Sequence, residues 1–451
     1  MALPDLVAVR RTFPRERVGD VERAVRDELR KDGIGSALQP GMDVAIAVGS
    51  RGIAEIASFV KAVVAHVRDA GASPFIVPAM GSHGGATADG QEQILESLGV
   101  TEDACGAPIR SAMDVVELGT TSRGTPVYLD ANAARADGII PVARVKAHTD
   151  FHGEVESGLL KMCAIGLGKH DGARTLHGLG VPGIRDHMID VGCAVADSGH
   201  VLFGLAIVEN AYDEPAVVEA VAPSEFRARD AALLETYKRW MPRLPVDDID
   251  ILVVDRMGKD YSGTGMDTNV LGRFRIRGEP EPEWPRIKYV VVSDLTEASH
   301  GNALGIGLAD FSTERLLGRI DFRATYENVL TSTFVERAKL PLIRPHDRAA
   351  IEAAVRCNWG VAPEDTRLVR IPNTLHLDLV HVSRPLLDEV LERGDAEVVG
   401  GPFPLRFGDD GHLERFESET ADRPLRGPPT TAIESPAARS RATTSRRCSC
   451  G

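Results

Sequence analysis

The stretch DVAIAVGSRGIAEIASFVKAVVAHVRDAGASPFIVPAMGSHGGA, residues 43–86, decides the fold class. Its first six residues, 43–48, are an apolar run of strand length, ended by Gly49, Ser50, Arg51 and Gly52. Residues 53–70 then place apolar side chains at helical spacing up to Gly71. PFIVPA at 74–79 repeats the strand signal, and GSHGGA at 81–86 repeats the glycine-rich turn. Strands that read as continuous apolar runs and alternate with helices predict a parallel sheet covered on both faces.

Outward from that unit the rhythm continues. A helix over 89–98, capped by Thr87 or Asp89, stops at Gly99. Strands follow at 114–118, 125–129 and 138–143, then helices at 156–167, 170–177 and 183–197, a strand at 201–208 and a helix at 224–240. Residues 242–248 read as a joint. A second α/β series opens with strands at 249–254 and 288–293, helices at 312–319, 321–336 and 348–355, strands at 367–371 and 376–382, and a helix at 384–393. The expected fold is therefore α/β, with two α/β domains of mostly parallel sheets and an active-site cleft between them. Residues 1–246 would carry the site, 247–420 would close the cleft, and 421–451, rich in Pro, Arg, Ser and Thr, would be a disordered tail.

Composition bounds the function. The chain has 451 residues and a net charge of -14, which argues against a broad nucleic-acid surface. No apolar run approaches the roughly 18 residues of a membrane span, and the N-terminus does not read as a secretory signal. The 6 cysteines are too scattered for a disulfide framework or a zinc ribbon. A cytoplasmic protein with neither nucleic-acid nor membrane partners is expected. Of 52 basic residues only 9 are lysines, yet Lys146, Lys161 and Lys169 fall in one 24-residue window.

No GxGxxG, HExxH or GxSxG motif is present, so ordinary NAD, zinc-protease and serine-hydrolase readings lack support. What remains are histidines and lysines in glycine-rich surroundings. His83 sits just past a predicted strand end, the edge where open α/β sheets bind ligands. A turn histidine bonded to local backbone is the plainer alternative. Residues 144–180 add His148, His152, His170 and His177 to the three lysines. So many imidazoles need partners or a metal. Lys161, among apolar residues, is either snorkelling or buried for chemistry. In the second series, two glycine-rich loops at 258–273 and 296–310 offer Lys259, Arg273 and Arg275 as anion binders, with Asp267 and Asn269 for hydroxyl groups. They could equally be structural, with Asp267 as a cap.

At these residues the chain resembles the nickel-pincer-nucleotide-dependent isomerases, the lactate racemase family, over roughly residues 10–415. The GSHGG turn resembles the family's Gly-Thr-His turn and would make His83 a catalytic residue. SGLLK resembles the element whose lysine is joined covalently to the cofactor, which maps onto Lys161. A nickel-ligating histidine sixteen residues later maps onto His177. The second catalytic histidine maps onto His148, in a KAH context, or onto His152. The resemblance also implies Arg51, Ser50 and Gly84 around the cofactor, a nickel-pincer nucleotide. There are departures. Val48-Gly49-Ser50-Arg51 lacks the acidic residue of the family's Asp-x-x-Arg loop. The second-domain tyrosine, glutamine and lysine are not reproduced around Leu271, Gly272 and Arg275. The chain looks like a divergent branch.

The implied reaction is racemisation or epimerisation of a 2-hydroxy acid, possibly a sugar acid, by reversible hydride transfer to the tethered cofactor. Such a C–H is too weakly acidic for easy proton abstraction, no side chain accepts hydride, and two histidines would alternate as acid and base. Arg51 or Arg273 would hold the carboxylate. Cofactor-biosynthesis proteins would be the protein partners. A metal-dependent hydrolase using the same histidines with Asp150, Glu154, Glu156 or Asp171, and a non-catalytic hydroxy-acid binder, are the alternatives.

Overall fold

The computed structural model describes residues 2–50 and 52–416, so Arg51 and the expected tail at 421–451 lie outside the described residues. The chain opens with strand β1 (Leu6–Arg11), followed by β2 (Asp43–Val48), β3 (Ser73–Pro78), β4 (Val115–Thr120), β5 (Pro126–Asp130), β6 (Gly138–Arg144), β7 (Gly204–Glu209) and β8 (Pro215–Val221). Five of these make one sheet in the order β3-β2-β6-β7-β8, parallel except at its β7–β8 edge. Two apolar clusters sandwich it. One gathers Phe59, Val63 and Val67 of the helix Ile56–Asp69; the other gathers Leu159, Leu160, Cys163 and Leu176. Coverage on both faces is why β2 and β6 read as unbroken apolar runs.

The chain then crosses to a second, eight-stranded sheet. Its members are β1 together with β9 (Asp248–Met257), β10 (Arg286–Leu295), β11 (Phe311–Thr313), β12 (Leu342–Arg344), β13 (Leu368–Ile371), β14 (Leu379–Ser383) and β15 (Ala396–Phe403), in the order β12-β11-β10-β9-β13-β14-β1-β15. The block β12 to β13 is parallel and the remainder antiparallel. The architecture is thus α/β, with two units built on mostly parallel sheets.

Two sequence expectations are corrected here. Residues 1–246 do not form one unit from their start, because β1 pairs with β14 and β15 in the second sheet. Its short apolar segment has no local partner, and only the far end of the chain supplies one. Residues 114–118 and 125–129 are not strands of the parallel sheet: β4 and β5 form a separate antiparallel hairpin. β4 is mostly exposed, too polar for a strand covered on both faces.

The units meet along a shared seam. Phe151, Val181 and Ile184 of the first pack against Phe274 and Ile276 of the second. Among the described residues, no helix is long and apolar enough to cross a membrane.

Candidate functional site

The site residues collect at the C-terminal ends of the parallel strands of the first sheet. The turn after β3 brings His83 beside the turn after β2, where Ser50 Oγ bonds His83 Nδ1. The glycines here answer to packing. Gly84 has φ 66°, and a Cβ on it would lie 2.5 Å from the carbonyl carbon of Gly90, so only glycine fits against the helix Ala88–Ser97.

The turn is held from behind by buried polar groups. Gln91 Nε2 donates to the carbonyls of Gly81 (2.9 Å) and His83 (3.3 Å). Lys169 Nζ, fully buried, donates to Gln91 Oε1 at 2.9 Å and the Pro78 carbonyl at 2.6 Å, and pairs with Asp130 at 3.1 Å. Burial lowers the Lys169 pKa, and Asp130 opposes the shift. This member of the lysine cluster is a structural support.

Lys161 ends the short helix Leu159–Lys161, which runs into a π-helical turn at Met162–Gly166. The helix start is capped across the fold. The carboxylate of Asp230, buried on the helix Phe226–Trp240, accepts from the backbone N–H groups of Leu159 (3.0 Å) and Leu160 (2.8 Å). Burial pushes the Asp230 pKa up to about 7 even though both bonds favour the anion. Gly158 is required here: a Cβ would lie 2.3 Å from Asp230 Oδ1.

One continuous helix would separate Lys161 and His177 by about 24 Å. Instead the chain bends at Lys169, whose φ is 53°, and the helix Lys169–Gly178 returns His177 to the neighbourhood of Lys161. The His177 ring is open to solvent but set among protein groups. Desolvation lowers its pKa, as does the Lys161 charge, and Asp150 opposes them. The shift favours the neutral ring, whose lone pair a metal could take.

The loop between β6 and Lys161 is drawn tight by Glu156, whose buried carboxylate accepts from the N–H groups of His148 (2.8 Å) and Gly153 (3.2 Å) and pairs with Lys238 at 3.1 Å. His152 is half-exposed, with Nδ1 3.4 Å from Glu156 and its ring against Phe274. His148 is more enclosed. Its ring stacks on Phe151 at 4.6 Å, and its Nδ1 accepts from the Asp150 N–H at 3.1 Å. Asp150 is the electrostatic hub. Burial would raise its pKa, but His148, Arg337 and Lys161 together hold it at about 2. His148, Asp150, Lys161 and His177 thus share one neighbourhood, whereas His152 belongs to that of Glu156.

The second unit grips this loop by its backbone. Arg337, 1% exposed, binds the Asp150 carboxylate, the Thr149 carbonyl at 2.8 Å and the Phe274 carbonyl at 2.8 Å. Thr268 Oγ1 donates to the Thr149 carbonyl at 2.7 Å, and Asn269 Nδ2 to the His148 carbonyl at 3.1 Å. Asp267, expected to bond hydroxyls, caps the turn Thr268–Leu271 through Asn269 N–H at 2.8 Å.

Arg273 is not brought to the site. Its guanidinium is consumed by the carbonyls of Leu308, Ile287 and Lys288 and by Asp310 at 2.7 Å. Arg275 points to the same Asp310 at 3.8 Å from the surface. Lys259 Nζ is bound to the Gly263 carbonyl (2.6 Å) and Asn328 (2.8 Å). Sequence reasoning missed Asp230 and Arg337, which reach the site from distant segments, and Gln91, on the helix just after the His83 turn; no motif marks any of them.

These features define a two-unit α/β protein with a lysine–histidine site at the strand ends of its smaller sheet, completed by the larger unit. Residues 9–181 match the family model of the lactate racemase N-terminal domain. Ser50, His83, His148, Lys161 and His177 all fall within the match. Among solved structures, the lactate racemase apoprotein from Thermoanaerobacterium thermosaccharolyticum is similar over 82% of this chain and 98% of its own, at 10% identity and a TM-score of 0.49. Among curated proteins, none matches the chain.

Proposed function

We propose that the protein is an isomerase that inverts a carbon bearing hydroxyl and carboxylate in a 2-hydroxy acid, using a nickel-pincer nucleotide attached at Lys161. The observation that carries this reading is the convergence of Lys161, His148, Asp150 and His177 at one strand-end site. The donor set fits the cofactor. Lys161 offers an amine, and His177 a neutral imidazole. Among the described residues, no three His, Cys, Asp or Glu side chains gather as a metal cage. His177 therefore suits a metal whose other donors arrive with an organic group, and a protein-built hydrolase centre has no such cluster to use among the described residues.

When bound, the cofactor supplies the hydride acceptor that no side chain can provide. The chain's own residues handle the proton. His83, oriented through Nδ1 by Ser50, and His148, oriented through Nδ1 by Asp150, are the acid/base pair that takes the substrate hydroxyl proton and returns it. Ser50 thus acts through His83. The cofactor-biosynthesis enzymes are the partners this reading requires.

Intact-mass and metal analysis of protein co-produced with those enzymes tests the reading. The expected result is a nickel-bearing nucleotide adduct at Lys161, absent in Lys161→Ala. His83→Ala should keep nickel and lose about 10²–10⁴-fold in turnover. An unmodified mass, under conditions that load a known racemase, would overturn the proposal.

A further inference from the structure

A neutral imidazole carries one N–H and one lone pair, so whatever Nδ1 does fixes what Nε2 can do. In His148, Nδ1 accepts from the Asp150 backbone N–H at 3.1 Å. That bond keeps the ring proton on Nε2, where His148 can donate a hydrogen bond but cannot take a proton. For Nε2 to take one, Nδ1 must carry hydrogen and find an acceptor. The Asp150 carboxylate oxygen Oδ2 lies 3.7 Å from the same Nδ1. One residue thus presents the ring with a donor through its backbone and an acceptor through its side chain, a small rotation apart. The other carboxylate oxygen, Oδ1, is held by Arg337, which its own bonds to the Phe274 and Thr149 carbonyls keep from swinging away.

We infer that Asp150 is a positioning residue that lets His148 switch between proton donor and proton acceptor at Nε2, and that Arg337 of the second unit holds Asp150 where it can do so. The inference rests on the reading of His148 as an acid/base group. Taking the hydroxyl proton at Nε2 yields an imidazolium whose Nδ1–H faces Asp150 Oδ2. Returning it restores the neutral ring, so the proton count closes within one cycle. Among the described residues, the charged groups around the pair include Arg337 and Lys161, with the titratable His177 ring nearby and Glu156 on the His148 N–H.

The test uses metal-free full-length protein labelled with ¹⁵N-histidine, with the His148 signals assigned by their loss in His148→Gln. Near neutral pH, Nδ1 should report as an acceptor and Nε2 as protonated. On acidification Nδ1 should gain its proton. Asp150→Asn should lower that midpoint by about one pH unit, because the carboxylate that stabilises the imidazolium is gone. Arg337→Met should raise it, because the carboxylate is no longer neutralised. Opposite signs distinguish positioning from general loosening, which would drive both variants toward an ordinary histidine. If Arg337→Met does not fold, Asp150→Asn decides alone, since its amide oxygen still accepts from Arg337. Midpoints within about 0.2 units of wild type, or shifts of the same sign, would overturn the inference. Protein that passes this test but takes no adduct at Lys161 fails the functional proposal alone. Adduct formation with an unmoved His148 fails this inference alone.

Discussion

Both sheets end their parallel strands in glycine-rich loops bearing basic or imidazole side chains, and the loops are spent differently. In the smaller sheet, His83 and His148 are each oriented through Nδ1, by Ser50 and by the Asp150 backbone. The buried work is delegated to residues behind them, Lys169, Gln91, Glu156 and Asp230. In the larger sheet, the cations do that work themselves: both terminal nitrogens of Arg273 are bound to carbonyls or to Asp310, and Lys259 closes its own loop. A cation in a glycine-rich loop is evidence of a ligand site only after its hydrogen-bonding capacity has been counted.

The largest effect expected of this contrast is at Arg273. Arg273→Ala should destabilise the protein by about 3–5 kcal/mol, because it leaves Asp310 and three carbonyls without their buried partner. Urea unfolding measures this. A variant with a wild-type midpoint that no longer binds hydroxy acids would reverse the comparison.

A step smaller, Asp230→Ala should cost about 2–4 kcal/mol, since the Leu159 and Leu160 N–H groups lose their acceptor. The same carboxyl gives a pH signature. Its folded pKa, about 7, lies above the ordinary 3.8, so the folded state holds the proton more tightly. That contribution is complete below the ordinary carboxyl range and is lost as pH rises through about 7. Wild type should therefore lose on the order of 2 kcal/mol relative to Asp230→Asn between pH 5 and 8. A pH-independent difference between their urea midpoints would show that the carboxyl stays ionised. The smallest effect belongs to Arg275→Ala, a surface pair, within about 0.5 kcal/mol by thermal unfolding.

Much of the smaller sheet was legible because its signals are local. The apolar runs 43–48 and 138–143, bounded by turn residues, became β2 and β6. The hairpin of β4 and β5 was misplaced because strand propensity says nothing about which sheet a strand joins. At the site, residue identities were visible but their duties were not. Lys146, Lys161 and Lys169 look alike in sequence, yet Lys169 is a buried strut and Lys161 sits with the histidines. Of the residues assigned to cofactor or substrate, Ser50 orients His83, Asp267 caps a turn, and Asn269 holds the His148 carbonyl.

By itself, the sequence determined the alternation of strands and helices, the glycine turns that carry His83, and the sixteen-residue interval from Lys161 to His177. All of these are written in neighbouring residues and short-range sterics. Only the tertiary structure decided that β1 joins the far sheet, that the chain folds back at Lys169 to reunite Lys161 with His177, that Asp230 caps the Lys161 helix, and that Arg337 reaches Asp150. Each depends on a partner tens to hundreds of residues away. Such a pairing is chosen by which buried polar groups must be satisfied once the chain has collapsed.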